Sequence, residues 1–141
     1  MPDIIVRPAC EKDFEKIHDL QRESNVLAGG EVIAVDEMHE HVTHKNGIFL
    51  VAEAEDEIIG FIFGEKLVAA WVIGSYYAVR NDYRGTDAFR LLGREFLYRA
   101  KEIGGKHVFI YADAENRKLI DFYKRYGFGA SGTYVEMIKE I

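Results

Sequence analysis

Residues 71–112 join two strand patterns through a glycine-containing loop and a long amphipathic helix. The first pattern runs from Trp71 to Val79, the loop contains Gly85, and the second pattern begins at His107. Two strands that are connected through a helix lie parallel, and the crossover between them is right-handed. This unit therefore predicts an α/β domain in which these two strands are parallel.

The helix of this unit has one apolar face and a defined end. Its apolar residues recur every three or four positions and form one stripe: Phe89, Leu92, Phe96, Ala100 and Ile103. Gly104 and Gly105 follow, and glycine ends helices because it adopts the left-handed conformation without strain. The strand that follows, residues 107–112, is apolar enough to lie inside a sheet.

The first half of the chain contains two helical patterns and three strand patterns. A short strand, Ile4 to Val6, ends at Pro8. Helical spacing of apolar residues predicts helices over 9–24 and 32–45, separated by Ala28-Gly29-Gly30. Strand patterns over 48–53 and 58–63 lead into the Trp71–Val79 strand. Their short connections favour antiparallel pairing, and the acidic turn Glu53, Glu55, Asp56, Glu57 reads as a solvated hairpin tip.

The chain closes with a helix from Asn116 to Tyr126, ended by Gly127, and a last strand from Thr133 to Ile138. The predicted order is β-α-α-β-β-β-α-β-α-β. We therefore expect one α/β domain over residues 1–141, with a mixed, mostly antiparallel sheet and helices on both faces.

Composition narrows the classes of function. The chain has 141 residues, 48% of them hydrophobic, and a formal net charge of -6. An acidic chain is a poor partner for nucleic acid, whose phosphates require a basic face. With no apolar run of membrane-spanning length and no signal peptide at the polar N-terminus, we expect a cytoplasmic protein without a membrane partner. The one cysteine, Cys10, cannot form an internal disulfide and is interpreted as a buried or inert thiol.

The loop that opens at Arg84 and Gly85 has the form of an anion site. A strand that runs into such a loop and then a helix leaves backbone N–H groups pointing outward. Alone this is a weak signal, because a turn followed by a helix cap has the same pattern. Neither the P-loop sequence nor the dinucleotide-binding glycine fingerprint is present.

Further residues make the pattern more specific: Val79, then Arg84-Gly85-Thr86-Asp87-Ala88-Phe89, then Asn116, Phe122-Tyr123 and Gly127-Phe128. In this combination and order the chain resembles the GNAT superfamily of N-acetyltransferases. The match is strongest from Trp71 to Phe128. The resemblance implies acetyl-CoA as cosubstrate, no metal, and direct transfer of the acetyl group to a small-molecule or peptide amine.

The resemblance also implies the site residues. The loop would hold the pyrophosphate through Arg84 and the backbone amides of Gly85, Thr86, Asp87, Ala88, Phe89 and Arg90. The backbone of Tyr77, Ala78 and Val79 would pair with the pantetheine arm. Asn116 and Tyr123 would contact the same ligand, and Tyr123 would protonate the leaving thiolate.

Asp87 and Phe89 depart from the family pattern, which has glycine at the first position and glycine or alanine at the second. Asp87 could cap the helix with its own carboxylate, and would repel a phosphate if it faced inward. Either Asp87 turns outward and CoA binds, or the site is weakened. Arg80, Arg84 and Arg90 flank the loop and could offset the acid.

Structural roles compete with the functional ones. Asn116 could be a helix cap as well as a ligand contact, and Tyr123 could be a core aromatic. The general base is not readable from the sequence, since Glu65 and Tyr76 are more readily structural. His39, His41 and His44 favour a solvated helix over a metal site, although one of them could touch substrate.

Two hypotheses follow. The first is an acetyl-CoA-dependent N-acetyltransferase of unknown acceptor, for which a homodimer is left open. The second is a module of the same fold that binds CoA or a partner through a degenerate loop, with little catalysis.

Overall fold

The computed structural model of the protein describes residues 2–24 and 32–141, so the predicted break at Ala28-Gly29-Gly30 lies outside the described residues. It divides into two units, Met1–Ile110 and Tyr111–Ile141. Among the described residues, the first contains the sheet and three α-helices, and the second contains one α-helix.

Five strands form one sheet in the order in which they occur along the chain. They are β1 (Ile5–Pro8), β2 (Gly47–Ala54), β3 (Glu57–Lys66), β4 (Trp71–Val79) and β5 (His107–Phe109). The pairs from β1 to β4 are antiparallel, and β4 and β5 are parallel. This confirms the predicted mixed sheet and the parallel pair that the 71–112 unit required.

Alternate residues of β2 belong to two separate cores, because side chains alternate between the faces of a strand. Ile48 and Leu50 lie in the core on one face. Phe49 and Val51 lie in the core on the other. A strand buried on both faces is apolar throughout, which is why residues 48–52 form an unbroken hydrophobic run.

Helices cover both faces of the sheet, as predicted. They are α1 (Phe14–Ser24), α2 (Val35–Thr43) and α3 (Ala88–Glu102), all in the first unit. The second unit contains α4 (Arg117–Arg125). Helix α3 buries Leu92 and Phe96 in one core, and α1 and α2 bury Ile17 and Met38 in the other. None of the helices in the described part of the chain is long and apolar enough to cross a bilayer.

Two hairpin turns use non-glycine residues in the left-handed conformation. Glu55 and Asp56, between β2 and β3, have φ angles of 52° and 63°. Ala69 and Ala70, between β3 and β4, have φ angles of 59° and 62°. Paired positive φ angles match the right-handed twist of the adjoining strands, but a Cβ atom is strained there.

The predicted last strand is wrong. Residues 133–138 form no strand, and the side chains of Tyr134, Val135, Met137 and Ile138 are between 74% and 86% exposed. Their residue types suit a strand, but β propensity takes effect only through a neighbouring strand. Within the described residues this segment has none. Strand β5 is likewise shorter than predicted, since its pairing with β4 stops at Phe109.

Candidate active site

The sheet opens between β4 and β5. Their parallel pairing covers three positions and ends at Ile73 and Phe109. From there to Val79, β4 remains paired with β3, and Ser75 is an extra residue in that register. Such a bulge bends a strand and increases its twist. The predicted pantetheine-binding residues, 77–79, lie beyond the bulge, at the end of β4 that leads into the loop.

Tyr77 and Ala78 point to opposite faces of β4. Ala78 is buried in the core under α1 and α2. Tyr77 packs against the core under α3, and its ring meets the ring of Phe89, with centroids 5.2 Å apart. Burial raises the pKa of Tyr77 to about 12, so its phenol stays protonated at physiological pH.

Tyr83 and Thr86 hold the loop between β4 and α3. The ring of Tyr83 is 8% exposed and belongs to the core under α3. Its carbonyl oxygen accepts hydrogen bonds from both the amide and the hydroxyl of Thr86. The Thr86 hydroxyl oxygen in turn accepts the N–H of Ala88, the first residue of α3, at 3.3 Å. Thr86 therefore caps the helix, a role that the sequence suggested for Asp87.

Asp87 does not cap the helix with its carboxylate, so that interpretation is wrong. Its backbone is already helical (φ -75°, ψ -1°), whereas a capping side chain needs an extended backbone. Its exposed carboxylate accepts a hydrogen bond from Nε of Arg90 at 3.1 Å. The hydrogen bond and the positive charge of Arg90 lower the pKa of Asp87, which stays ionised. Of the two arrangements considered, the carboxylate has the outward one.

Gly85 adopts a left-handed backbone with φ of 78°, and nothing lies within 4 Å of the position a Cβ would take. In the part of the chain that the structure describes, neither its amide nor that of Asp87 has an acceptor. Outward N–H groups at a helix start bind anions. The loop can therefore present two amide donors to an anion in open space.

The three arginines that flank the loop differ in their partners. Arg80 donates to Glu57 and Asp82, and Arg90 donates to Asp87. Arg84 is exposed and has no carboxylate partner among residues 2–24 and 32–141. Only its positive charge is not already matched by an acid. The partners of Arg80 lie far along the chain or in the loop itself, and no sequence signal identified them.

Asn116 and Tyr123 belong to the second unit. The Asn116 side chain accepts the N–H of Leu119 at 3.1 Å and so caps α4. Tyr123 is 5% exposed, and its ring contacts those of Phe122 and Phe128. Both structural alternatives raised by the sequence are thus present.

The three histidines make separate contacts. The rings of His39 and His41 lie against Phe14 and Phe63, while Nδ1 of His44 accepts the N–H of Asn46. Among the described residues no group of three metal-binding side chains occurs.

The remaining candidates are structural in their contacts. Tyr76 stacks on Phe63, and Glu65 is half-buried in β3. The Cys10 thiol donates to the Asp13 carboxylate at 3.3 Å.

Comparison with known proteins assigns this arrangement to a family. The sequence profile of the acetyltransferase (GNAT) family matches residues 14–128. No curated protein sequence gives a significant match.

Many solved structures share the fold, and three of them illustrate the range of proteins. The aminoglycoside acetyltransferase AAC(6')-Iy, in complex with the bisubstrate analogue CoA-S-monomethyl-acetylneamine, is 15% identical with a TM-score of 0.84, and 99% of each chain is covered. The PaiA N-acetyltransferase of Thermoplasma acidophilum, in complex with coenzyme A, is 21% identical with a TM-score of 0.79, covering 94% of this chain and 93% of its own. A transcriptional regulator from Bacillus halodurans C-125 is 21% identical with a TM-score of 0.83, covering 97% of this chain and 100% of its own.

At these identities the solved structures show a common fold, and the profile, which spans most of the chain, shows the family. The predicted fold class and enzyme class are confirmed. The chain belongs to the acetyltransferase (GNAT) family.

Proposed function

We propose that the protein transfers an acetyl group from acetyl-CoA directly to an amine. The observation that carries this proposal is the opening of the sheet between β4 and β5, next to a loop with two amides that have no acceptor in the described chain. An extended amide-containing arm fits beside a strand whose pairing has ended, and a pyrophosphate fits the loop. The same chain segment thus offers both parts of a CoA site.

The loop would hold the pyrophosphate through its backbone rather than through many side chains. The amides of Gly85 and Asp87 donate, the helix start adds a favourable dipole, and Arg84 supplies a positive charge. Gly85 meets the steric requirement, because no atom occupies the space beside it. Two other amides of this segment already donate within the chain, that of Thr86 to the Tyr83 carbonyl and that of Ala88 to the Thr86 hydroxyl.

Several residues would orient the reacting groups, in the roles that the family resemblance implies. Bound acetyl-CoA supplies a thioester carbonyl carbon and a thiolate leaving group. The acceptor must first be deprotonated to a neutral amine, whose nitrogen attacks the carbonyl carbon, forming the C–N bond as the C–S bond breaks. Tyr123 would donate its phenolic proton to the thiolate sulfur, and the proton that the nitrogen loses on becoming an amide would restore the phenol by way of solvent. The backbone of residues 77–79 would keep the arm extended, and Asn116 would contact the same ligand while capping α4.

The acceptor is an amine, either a small molecule or a peptide. The structural neighbours include aminoglycoside acetyltransferases solved with sisomicin and with a CoA-neamine analogue. A reducing compartment such as the cytoplasm agrees with a chain that has a single cysteine and so no internal disulfide.

The alternative function, a binding module with a degenerate loop, is not favoured. That alternative rested on the departure of Asp87 and Phe89 from the family pattern. The Asp87 carboxylate is exposed and paired with Arg90, and Phe89 packs against Tyr77. Neither contact fills the space beside Gly85.

A ligand titration tests the proposal. Acetyl-CoA at about 100 times its Kd should add about 2.7 kcal/mol to the free energy of unfolding. Acetyl-pantetheine, which lacks the pyrophosphate, should stabilise the protein much less at the same concentration. A screen of amines, read by release of free thiol, then identifies the acceptor. Absence of stabilisation by millimolar acetyl-CoA would contradict the proposal.

A further inference from the structure

Arg80, the first residue after β4, joins the loop to a distant hairpin. Its Nε and Nη2 atoms donate to both carboxylate oxygens of Asp82, at 2.7 and 3.0 Å. Its Nη1 atom donates to Glu57 at 2.6 Å, at the start of β3. Its backbone amide donates to the carbonyl of Ile59 at 2.7 Å. The guanidinium also lies 5.2 Å from the centroid of the Tyr83 ring.

These contacts continue from Tyr83 into α3. The Tyr83 amide donates to the carbonyl of Arg80 at 2.9 Å. The Tyr83 carbonyl accepts from Thr86, and the Thr86 hydroxyl caps Ala88. These hydrogen bonds, together with the covalent links within Arg80 and Tyr83, therefore connect the Glu57 carboxylate to the first amide of the helix.

The charge balance around Arg80 distinguishes two roles for this residue, direct binding of phosphate and positioning of the loop. A guanidinium that binds a phosphate directly must be available to it, but this one is already matched by two carboxylates. Single exposed ion pairs contribute little, whereas a bidentate pair within a network fixes geometry. Arg80 has the second arrangement, because its planar group occupies both oxygens of Asp82.

We propose that Arg80 is a positioning residue for the cosubstrate. It holds the 83–88 loop so that the amides of Gly85 and Asp87 face the pyrophosphate, and it does not bind phosphate itself. Its ion pairs with Asp82 and Glu57 fix its position. The inference deepens the proposed function and rests on it.

Arg80→Gln weakens acetyl-CoA binding under either role, whereas Asp82→Asn gives opposite results for the two. Arg80→Gln removes the network and should weaken the binding of acetyl-CoA about tenfold. The KM and Kd for acetyl-CoA should rise, and kcat should change less than about twofold. Asp82→Asn should also weaken acetyl-CoA, because it loosens the same loop. If Arg80 bound phosphate directly, Asp82→Asn would instead free Arg80 from a competing acid, and acetyl-CoA would bind more tightly.

A conservative variant and a matched control complete the design. Arg80→Lys keeps the charge but loses the bidentate fork, so it should rescue acetyl-CoA binding only in part. The double variant Arg80→Gln with Asp82→Asn should be no weaker than Arg80→Gln alone, because both changes break one network. Arg99→Gln removes the Arg99–Glu95 pair on α3 and should leave acetyl-CoA affinity unchanged.

Hydrogen exchange separates this inference from the function it rests on. In the ligand-free protein, Arg80→Gln should speed exchange of the Thr86 and Ala88 amides relative to wild type. The inference alone would be overturned if the wild type binds acetyl-CoA and Arg80→Gln shows the same acetyl-CoA affinity and the same rates of amide exchange. Failure of the wild type to bind acetyl-CoA would overturn the proposed function, and the inference about its cosubstrate with it.

Discussion

The ring of Phe89 meets the ring of Tyr77 at 64°, with centroids 5.2 Å apart. This contact joins the first turn of α3 to the end of β4. The family pattern has a small residue at position 89, so the Phe89 side chain adds a contact beside the candidate CoA site. We expect it to stabilise the fold and to keep Tyr77 out of water.

Phe89→Ala should lower the free energy of unfolding by about 1–3 kcal/mol, below the loss for a fully buried phenylalanine because Phe89 is half-buried. It should also lower the pKa of Tyr77 from about 12 towards its ordinary value of 10. Urea denaturation gives the first quantity, and NMR titration of the labelled tyrosine ring gives the second. Phe89→Leu, which keeps most of the apolar volume, is the control. A Tyr77 pKa that stays near 12 in Phe89→Ala would show that other groups bury it.

Asp87→Asn should tighten acetyl-CoA at low salt, by no more than about fivefold. The carboxylate is exposed, so its repulsion of a phosphate is screened, but its loss also releases Arg90. Calorimetry at 0.05 M and 0.5 M salt measures the change, which should vanish at the higher concentration. Arg90→Gln should have the opposite sign. A gain that persists at high salt would mean that the carboxylate contacts the ligand.

If Tyr123 protonates the leaving thiolate as proposed, Tyr123→Phe should lower kcat about 10²-fold while the Kd of acetyl-CoA hardly changes, because that proton transfer occurs only in the transition state. The buried ring would still fill its space between Phe122 and Phe128, so the melting temperature should fall little. Tyr126→Phe, on the same helix end but exposed, is the control. Full activity in Tyr123→Phe would assign this residue to packing.

Asp13 makes stability depend on acid pH. Burial alone would raise its pKa, but bonds from Arg7 at 2.7 and 2.9 Å and from the Cys10 amide outweigh burial and lower it. A group whose pKa is lower in the folded state stabilises the fold at pH values above its unfolded-state pKa, here near 3.9. That stability is lost as the pH falls through the folded-state pKa. Urea denaturation from pH 7 down to pH 2 should show this loss.

Arg7→Met should reverse that dependence. It leaves a buried carboxylate without its cation, which should cost about 2–4 kcal/mol at pH 7. The pKa of Asp13 would then be raised, so stability would increase as pH falls. The double variant Arg7→Met with Asp13→Asn should recover part of the loss. Equal pH profiles for wild type and Arg7→Met would contradict this account.

The turn at Ala69 and Ala70 can be relieved of strain. Each alanine has a positive φ, which costs about 1 kcal/mol or more relative to glycine. Ala69→Asn with Ala70→Gly should therefore raise the free energy of unfolding by about 1–2 kcal/mol, measured by urea denaturation. Ala130→Gly, at an exposed alanine without a positive φ, should give no gain.

The strands and helices of the first unit were readable from local patterns. The Trp71–Val79 strand was predicted with its observed ends, because apolar and β-forming residues fill it and short connections bound it. The α3 stripe was also predicted, and Leu92, Phe96 and Ala100 are buried. The periodicity of apolar residues reflects which side of an element is buried, and here it was sufficient to predict this strand and the buried face of this helix.

The site depended on choices that a local pattern does not contain. Thr86 and Asp87 are both good capping residues, and the backbone angles of the loop decide between them. Arg80 could have faced a phosphate, but it pairs with Glu57, which lies 23 residues away. The strand predicted over 133–138 required a neighbouring strand that its own residues cannot supply.

The exposed C-terminal segment has a consequence for handling the protein. Tyr134, Val135, Met137 and Ile138 form a short β-prone run of the kind that nucleates intermolecular sheets. Glu136, Lys139 and Glu140 interrupt or flank it, and such charges act as gatekeepers against self-association. The sequence pI is about 5.4, so the repulsion between molecules fades in mildly acidic buffer. Solubility should therefore be lowest near that pH, and losing Glu136 would narrow the range of conditions in which the protein stays dispersed.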